Sequence, residues 1–171
     1  MRKKKNSSGI VARGFFRLQI GEPDETGKIV KVDGDSGWRE NMVVNTGFRD
    51  YLCLALAGNA GSQSVNAVAL GTGTAPASDT TALPNELTDA AGCRCTGANL
   101  ASSTVASKTI QFAFTLNSNI ITATRTIQNV GLFNSTAVTA GSIFAGNTYT
   151  TSTLATNQAV NGTYQIRFAT A

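Results

Sequence analysis

The sequence predicts a mainly β fold, an antiparallel two-sheet β-sandwich of jelly-roll type with one short amphipathic helix. Charged residues make up only 14% of the 171 residues, whereas Thr, Ser, Asn and Gly, which suit pleated surfaces and tight turns, are abundant. Segments with apolar residues at alternate positions recur, separated by turn residues about every ten positions. We therefore expect a flexible basic N-terminal arm at 1–9 and a single β-sandwich domain at 10–171.

The first predicted strand covers residues 10–20. Its apolar residues Phe16, Leu18 and Ile20 alternate with polar ones, which indicates one buried and one wet face. A turn at 21–27 and a second β-rich run at 28–32 then complete a predicted hairpin.

The next turn, DGDSG at 33–37, contains Asp33 and Asp35 at the spacing that opens a calcium loop. The twelfth position of such a loop requires a bidentate acid. Here that position is Val44, so we predict an ordinary Asp/Gly turn.

One helix is predicted, at 46–57. Asn45 or Thr46 can cap its beginning, and Gly58 can supply the left-handed residue just after its end. The residues expected to form its buried stripe are Phe48, Tyr51, Leu52, Ala55 and Leu56.

The remainder of the chain is predicted to be β-rich. The expected strands are 65–70, 104–116, 120–133, 142–152 and 163–170. We expect 120–133 to be the antiparallel partner of 104–116. The long loops at 71–103 and 134–141 should gather at the ends of the sandwich.

The positive charge is concentrated in the arm. Removing Arg2, Lys3, Lys4 and Lys5 from the fourteen Lys and Arg leaves ten, which balance the ten Asp and Glu. A neutral body is not typical of a duplex-binding domain, so we expect nucleic acid not to be its partner. The arm has three readings: a solvated terminus, a segment that docks on an acidic protein surface, or a contact with packaged nucleic acid.

Membrane insertion and secretion are not expected. No run of about 18 apolar residues is present, and Arg13 and Arg17 interrupt the apolar segment that a signal peptide would need. We expect the chain to fold in the cytoplasm of the cell that makes it. We expect Cys53, Cys93 and Cys95 to be reduced, since an odd number leaves one thiol over and Cys93–Cys95 would close a strained ring. A bridge from Cys53 to one of the pair, or between subunits, is the alternative.

Several segments, in order, carry a family resemblance. They are ENMVVNTGFRDYLCLALAG at 40–58, VALGTGTAPASDTTALPNEL at 68–87, IQNVGLFNS at 127–135, SIFAGNTYT at 142–150 and GTYQIRFA at 162–169. Over about 40–171 the chain resembles small virion structural proteins of tailed bacteriophages. The GCRC segment at 92–95 and the basic arm depart from the family's pattern.

The resemblance implies a non-enzymatic part of a virus particle, assembled in the host cytoplasm. The expected role is a capsid decoration or cement protein that stabilises the head by binding major capsid subunits. Shell symmetry makes a homo-oligomer, for instance a trimer, plausible. The alternatives are a tail or baseplate accessory, or fibre-attachment, subunit, and a host-glycan-binding module that uses Trp38 with Tyr149 or Tyr164. The partner-binding residues expected in the arm are Arg2, Lys3, Lys4 and Lys5.

Catalysis is not expected from the residue types present. The chain has no His, which removes the Ser–His and Cys–His nucleophile pairs. Gly71-Thr72-Gly73 lacks the Lys of a P-loop and the third Gly of a dinucleotide fingerprint. Acids that could form a glycosidase pair all lie in turn-rich segments: Glu22, Asp24, Glu25, Asp33, Asp35, Glu86 and Asp89. We predict no catalytic residue, metal site or cofactor.

Overall fold

The computed structural model describes residues 9–58, 60–89, 93–118 and 120–170. Strands account for 52% of the structure and helices for 9%, which confirms a mainly β fold with one short helix. The strands are β1 Ile10–Pro23, β2 Ile29–Asp35, β3 Arg39–Val43, β4 Ala67–Gly71, β5 Arg94–Cys95, β6 Leu100–Ala106, β7 Thr109–Leu116, β8 Arg125–Phe133, β9 Ile143–Leu154 and β10 Ala159–Thr170.

The strands form one continuous antiparallel sheet. Its order is β5-β4-β8-β9-β3-β1-β10-β7-β6, and β2 pairs with β1 beside this path. The short strand β3 pairs with both β1 and β9 and so joins the two halves. Because β5 approaches β7, the sheet curls into a near-barrel. This continuous sheet does not confirm a two-sheet sandwich or a jelly roll.

The core lies inside the curl and is built from alternate residues of long strands. Phe16, Leu18 and Ile20 of β1 are at most 2% exposed, as their alternation predicts. The ring of Phe16 stacks near Tyr164 of β10, with 6.1 Å between ring centroids, and meets Tyr149 of β9 edge-on at 5.9 Å. The hairpin predicted at 10–32 is confirmed by the antiparallel pairing of β1 with β2.

Two predictions for the second half are wrong. The single strand predicted at 104–116 is a hairpin, because the chain turns at Ser107–Lys108 between β6 and β7. The segment 120–133 does not pair with it: β8 lies between β4 and β9, while β7 pairs with β6 and β10. Asn129–Phe133 are all buried, and a strand buried on both faces belongs in the middle of a sheet.

The helix lies between β3 and β4 and begins differently from the prediction. A π-helix, Gly47–Cys53, leads into an α-helical turn, Leu54–Leu56. Thr46 precedes it but makes no side-chain capping hydrogen bond. Gly58 has φ +62° directly after the helix, as predicted. Within the described ranges, no helix is both long and apolar enough to cross a bilayer.

A buried ion pair brings both predicted long loops to one end of the sheet. Arg94 of β5 donates from Nε and Nη2 to Glu86 at 2.6 and 2.9 Å, and from Nη1 to the carbonyls of Ser135 and Ala140 at 2.7 Å each. Its guanidinium also lies 4.1 Å from the ring centroid of Phe133. The Arg and Glu side chains are 1% and 5% exposed. The GCRC segment therefore supplies the cation that joins the loops.

Candidate interaction surface

The helix 47–56 is attached to the body along one side. The Thr46 hydroxyl donates to a carbonyl of β9 at 2.8 Å, and a Cβ on Gly47 would lie 2.1 Å from the carbonyl oxygen of Phe144. The Tyr51 hydroxyl donates to the carbonyl just before β9 at 2.5 Å, and its ring lies 5.0 Å from that of Phe144. Burial raises the pKa of Tyr51, so the hydroxyl stays a neutral donor.

The buried stripe predicted for the helix is confirmed at Tyr51 and in part at Leu52, which packs against the core, and is wrong at Phe48, Ala55 and Leu56. Phe48 is 41% exposed and Leu56 is 88% exposed, and Leu52 is only half-buried. The cause is the π-helical winding of Gly47–Cys53, whose i→i+5 bonds place more residues in each turn than the 3.6 of an α-helix. Phe48 therefore points away from the side on which Tyr51 is anchored.

These side chains border an apolar cavity of about 530 Å³, which we name the helix groove. It lies between the helix, the first residues of β1 and the last residues of β10. Its lining residues are Ile10, Ala12, Phe48, Leu52, Cys53, Ala55, Leu56 and Phe168. None of them carries a charge, and Ile10 is 80% exposed. An uncharged concave surface with large exposed apolar side chains is typical of a protein-binding site.

The basic arm joins the chain at the rim of the helix groove. Arg2, Lys3, Lys4 and Lys5 lie outside the described residues, but the chain continues from them directly into Ile10, a groove residue. Lys5 is five positions before Ile10, a reach of roughly 17 Å at about 3.3 Å per extended residue. A partner seated in the groove is therefore within reach of the arm.

Sequence reasoning did not find the helix groove. It assigned the helical apolar residues to the core, and it gave Ile10 and Phe168 no role beyond their strands. The sequence does contain one signal of an apolar surface. Phe48, Leu52 and Leu56 are spaced four residues apart, so on an α-helix they would form one apolar row. The spacing does not say whether this row faces the sheet or the solvent. The close contact of Gly47 with β9 decides that orientation.

Most of the acids considered for catalysis are held in ion pairs or local turns. Glu22 and Asp33 contact Lys31, and Asp24 accepts hydrogen bonds from Thr26 and from the Lys28 N–H. Three other acids each pair with an arginine: Asp35 with Arg17, Glu86 with Arg94, and Asp89 with Arg125. Glu25 is exposed. Hydrogen bonds from Arg17 hold the pKa of Asp35 well below its usual range. These contacts give the acids structural roles.

Protonation of Asp89 should weaken the fold in acid. Its side chain is 2% exposed, and its Oδ1 accepts from Arg125 Nη2 at 2.6 Å and from the Thr122 hydroxyl at 3.0 Å. The hydrogen bonds from Arg125 lower its pKa, so its contribution is complete above about pH 4 and is lost as the pH falls through the depressed folded-state pKa.

Urea unfolding between pH 7 and pH 2 measures this contribution. At pH 7 Asp89→Asn should lose about 1–3 kcal/mol of unfolding free energy, and the gap to wild type should close towards pH 2. A gap that stays constant with pH would assign the loss to packing and not to the carboxylate charge.

The glycine-rich turn after β4 is required by close packing. A Cβ at Gly71 would lie 2.3 Å from Asn129 Oδ1, and one at Gly73 would lie 2.4 Å from the carbonyl oxygen of Pro84. The buried Asn129 amide donates to the carbonyls of Thr74 and Pro84 at 3.0 and 2.9 Å. The loop is therefore tied back onto the sheet at this turn.

The aromatic group expected to bind glycans is not assembled as predicted. Trp38 is 47% exposed, whereas Tyr149 and Tyr164 are 8% and 0% exposed and belong to the core. The two tyrosines therefore cannot offer a stacking surface beside Trp38.

The three cysteines are not joined by disulfides. Cys53 lies on the surface in the helix groove, and Cys93 and Cys95 are buried. Burial raises the pKa of the Cys95 thiol to about 12, so this thiol remains protonated at neutral pH. In the part of the chain that the structure describes, no three His, Cys, Asp or Glu side chains are grouped to hold a metal ion.

No protein-family model, curated protein or solved structure matches this chain.

Proposed function

We propose that this chain is a non-enzymatic structural protein of a tailed-phage virion, a decoration or cement protein that binds major capsid subunits through the helix groove. The observation that carries the proposal is this groove of about 530 Å³, uncharged and rimmed by exposed Phe48 and Leu56. The ordered family-like segments of the sequence support a place in the virion.

The helix groove has the properties of an interface centre. Interfaces owe most of their affinity to a few large side chains that become fully desolvated. Leu56 and Ile10, 88% and 80% exposed, gain most from burial because each would otherwise keep its apolar surface in water, at about 25 cal/mol per Å². A standard interface covers about 800 Å² on each partner, which is more than the groove alone provides. The groove would therefore form the centre of a larger contact area.

Charge identifies the kind of partner. The excess of positive charge lies in Arg2, Lys3, Lys4 and Lys5, and the body is neutral. A second copy seated on the helix groove would bring a second basic arm close to the first, and the like charges would repel each other. The occupant is therefore a different protein, with an apolar projection bordered by Asp or Glu.

Many copies on a shell make individually modest contacts effective. Each copy that bridges neighbouring capsid subunits adds binding sites that act together, so the avidity of the bridge exceeds the affinity of one groove. A cyclic homo-oligomer such as a trimer would add to this effect and stays a prediction. The sheet has two halves that meet at β3, and these halves are compatible with the two layers of a sandwich. The sandwich also stays part of the proposal.

The test measures occupancy on purified, emptied heads of the phage that encodes this chain. The groove variant Phe48→Ser with Leu56→Asp should bind at least about 30-fold more weakly, since a hot-spot residue is worth about 2 kcal/mol. Deletion of residues 1–8 should weaken binding mainly at low salt, because exposed charges are screened over about 8 Å at physiological salt. Val30→Asp is the matched control, since Val30 is 65% exposed on β2, away from the groove.

Three results would contradict the proposal. One is unchanged occupancy for a groove variant that melts at the wild-type temperature. Another is a wild-type dimer that the groove variant converts to a monomer, which would make a second copy the occupant. The third is recovery of the chain with purified tails and not with heads, which would favour the tail or baseplate role.

A further inference from the structure

A second cavity lies on the outer face of the sheet, on the side of β1, β10, β7 and β6 that faces away from the core. Its volume is about 440 Å³, within the range of about 300–1,000 Å³ that holds small ligands. Small residues contribute to its lining, among them Ala101, Ala113 and Gly162. Its polar and aromatic lining residues are Arg17, Gln19, Trp38, Phe114, Thr115, Asn161 and Thr163. We name this cavity the Trp38 cleft.

Trp38 is placed at the edge of this cleft by a fixed turn. The Gly37 N–H donates to Asp35 Oδ1 at 2.9 Å, and Gly37 has φ +61°, which an L side chain rarely adopts. The Ser36 hydroxyl donates to the Gly37 carbonyl at 2.8 Å and accepts from the Leu18 N–H at 2.9 Å. Trp38 itself is 47% exposed, so this turn of the backbone presents an aromatic side chain to solvent at the cleft.

The polar groups of the cleft are ordered in advance. Arg17 Nε donates to Asp35 at 2.9 Å, and Gln19 Nε2 donates to the same carboxylate at 3.1 Å. The Thr115 hydroxyl donates to Asn161 Oδ1 at 2.9 Å. These bonds use the Gln19 amide nitrogen and the Asn161 amide oxygen. The Gln19 oxygen is thus left as an acceptor and the Asn161 nitrogen as a donor.

Charge limits the class of ligand. Among the described residues that line the Trp38 cleft, Arg17 is the one cation, and Asp35 neutralises it at contact distance. An anionic ligand would have to compete with this carboxylate for the guanidinium, so a neutral ligand is favoured. Fixed amide donors and acceptors suit vicinal hydroxyls, and an exposed indole suits the C–H face of a pyranose ring.

We infer that the Trp38 cleft binds one neutral hexose unit of a polysaccharide, with Trp38 stacked on the sugar ring and Gln19 and Asn161 bonded to its hydroxyls. This inference does not depend on the virion role, because the cleft and the helix groove share no lining residue. The cleft is open to solvent on the outer face of the sheet, so neighbouring sugar units of a chain can extend past it.

The chain itself provides the probe, because Trp38 is its one tryptophan. Intrinsic fluorescence is followed while maltoheptaose, cellohexaose, mannohexaose and the fully N-acetylated chitohexaose are added separately. Concentrations up to about 10 mM detect binding free energies weaker than −4 kcal/mol. At least one of these sugars should shift or quench the emission saturably. Because the cleft holds one unit, the methyl glycoside of the same sugar, which mimics a unit within a chain, should bind with nearly the affinity of the oligosaccharide. A free reducing sugar that binds at least about tenfold more tightly than this glycoside would make a free sugar the ligand and not a polymer.

Variants test the roles of the residues, with affinities measured by calorimetry so that loss of the indole does not remove the signal. Gln19→Ala and Asn161→Ala should each weaken binding at least about tenfold, and Trp38→Ala should abolish it. Gln111→Ala is the control, since it lies on the same outer face and pairs with Gln165 outside the cleft. The inference is overturned if all four neutral sugars leave the emission unchanged, if only an anionic sugar such as polygalacturonate binds, or if Gln111→Ala weakens binding as much as Asn161→Ala.

Discussion

Replacement of Arg94 by Met is expected to cost about 3–5 kcal/mol of unfolding free energy, the largest effect of any single change considered for this chain. The variant leaves the Glu86 carboxylate, 5% exposed, without its cation. It also removes the donors to the carbonyls of Ser135 and Ala140. Because a native domain has only about 5–15 kcal/mol in total, we expect the melting temperature to fall by roughly 6–20 °C.

Two further variants separate the effect of breaking the buried ion pair from the effect of losing any arginine. Arg49→Met removes an exposed partner of Asp50, with 72% of the Arg49 side chain accessible, and should change stability by no more than about 0.5 kcal/mol. The double variant Arg94→Met with Glu86→Leu removes both charges and should recover most of the loss. Urea unfolding of the four proteins measures both effects. An Arg94→Met protein within about 1 kcal/mol of wild type would show that the pair does not hold the loops together.

Gly47→Ala is expected to destabilise the chain by about 1–3 kcal/mol, although Ala normally stabilises a helix relative to Gly by about 0.8–1 kcal/mol. The sign reverses because the new Cβ would lie 2.1 Å from the carbonyl oxygen of Phe144. The helix must then move off β9, which breaks the hydrogen bond of Tyr51 and alters the helix groove. Binding to heads should therefore weaken together with stability.

Gly61→Ala is the matched control, because a Cβ at Gly61 meets nothing within 4 Å. It should leave the unfolding free energy unchanged or raised by up to about 1 kcal/mol, because Ala restricts the unfolded chain more than Gly does, and it should leave the binding unchanged. Chemical denaturation gives the first quantity, and amide exchange along residues 48–58 reports whether the helix has left β9. A stabilised Gly47→Ala protein would show that the helix does not depend on this close approach, and the explanation for the exposed stripe would then fail.

The sequence predicted the elements in which the local residue pattern matches the burial that the folded chain imposes. The alternation of Phe16, Leu18 and Ile20 identified β1, and Gly58 identified the end of the helix. Strand pairing was harder, because period-two alternation says which face is buried but not which strand is the neighbour. The Ser107–Lys108 turn that divides β6 from β7 carries neither Gly nor Pro, so the hairpin was read as one long strand.

The candidate site depends on tertiary fit that the sequence does not contain. Periodicity alone assigned Phe48 and Leu56 to the core, while the contact of Gly47 with β9 and the π-helical winding turned them outward. Likewise, Trp38 was recognised as a possible binding residue, but Arg17, Gln19 and Asn161 come together only because β1 and β10 are paired. The net charge of the arm could be read from composition alone.

Photo-crosslinking from position 56 in assembled particles tests the central claim most directly. A photoreactive residue replaces Leu56, whose side chain is 88% exposed at the helix groove, and the same residue at position 30 serves as the control. The proposal predicts a crosslink from position 56 to a major capsid subunit, and none from position 30. Crosslinks that join only copies of this chain, or particles that lack the chain altogether, would contradict it.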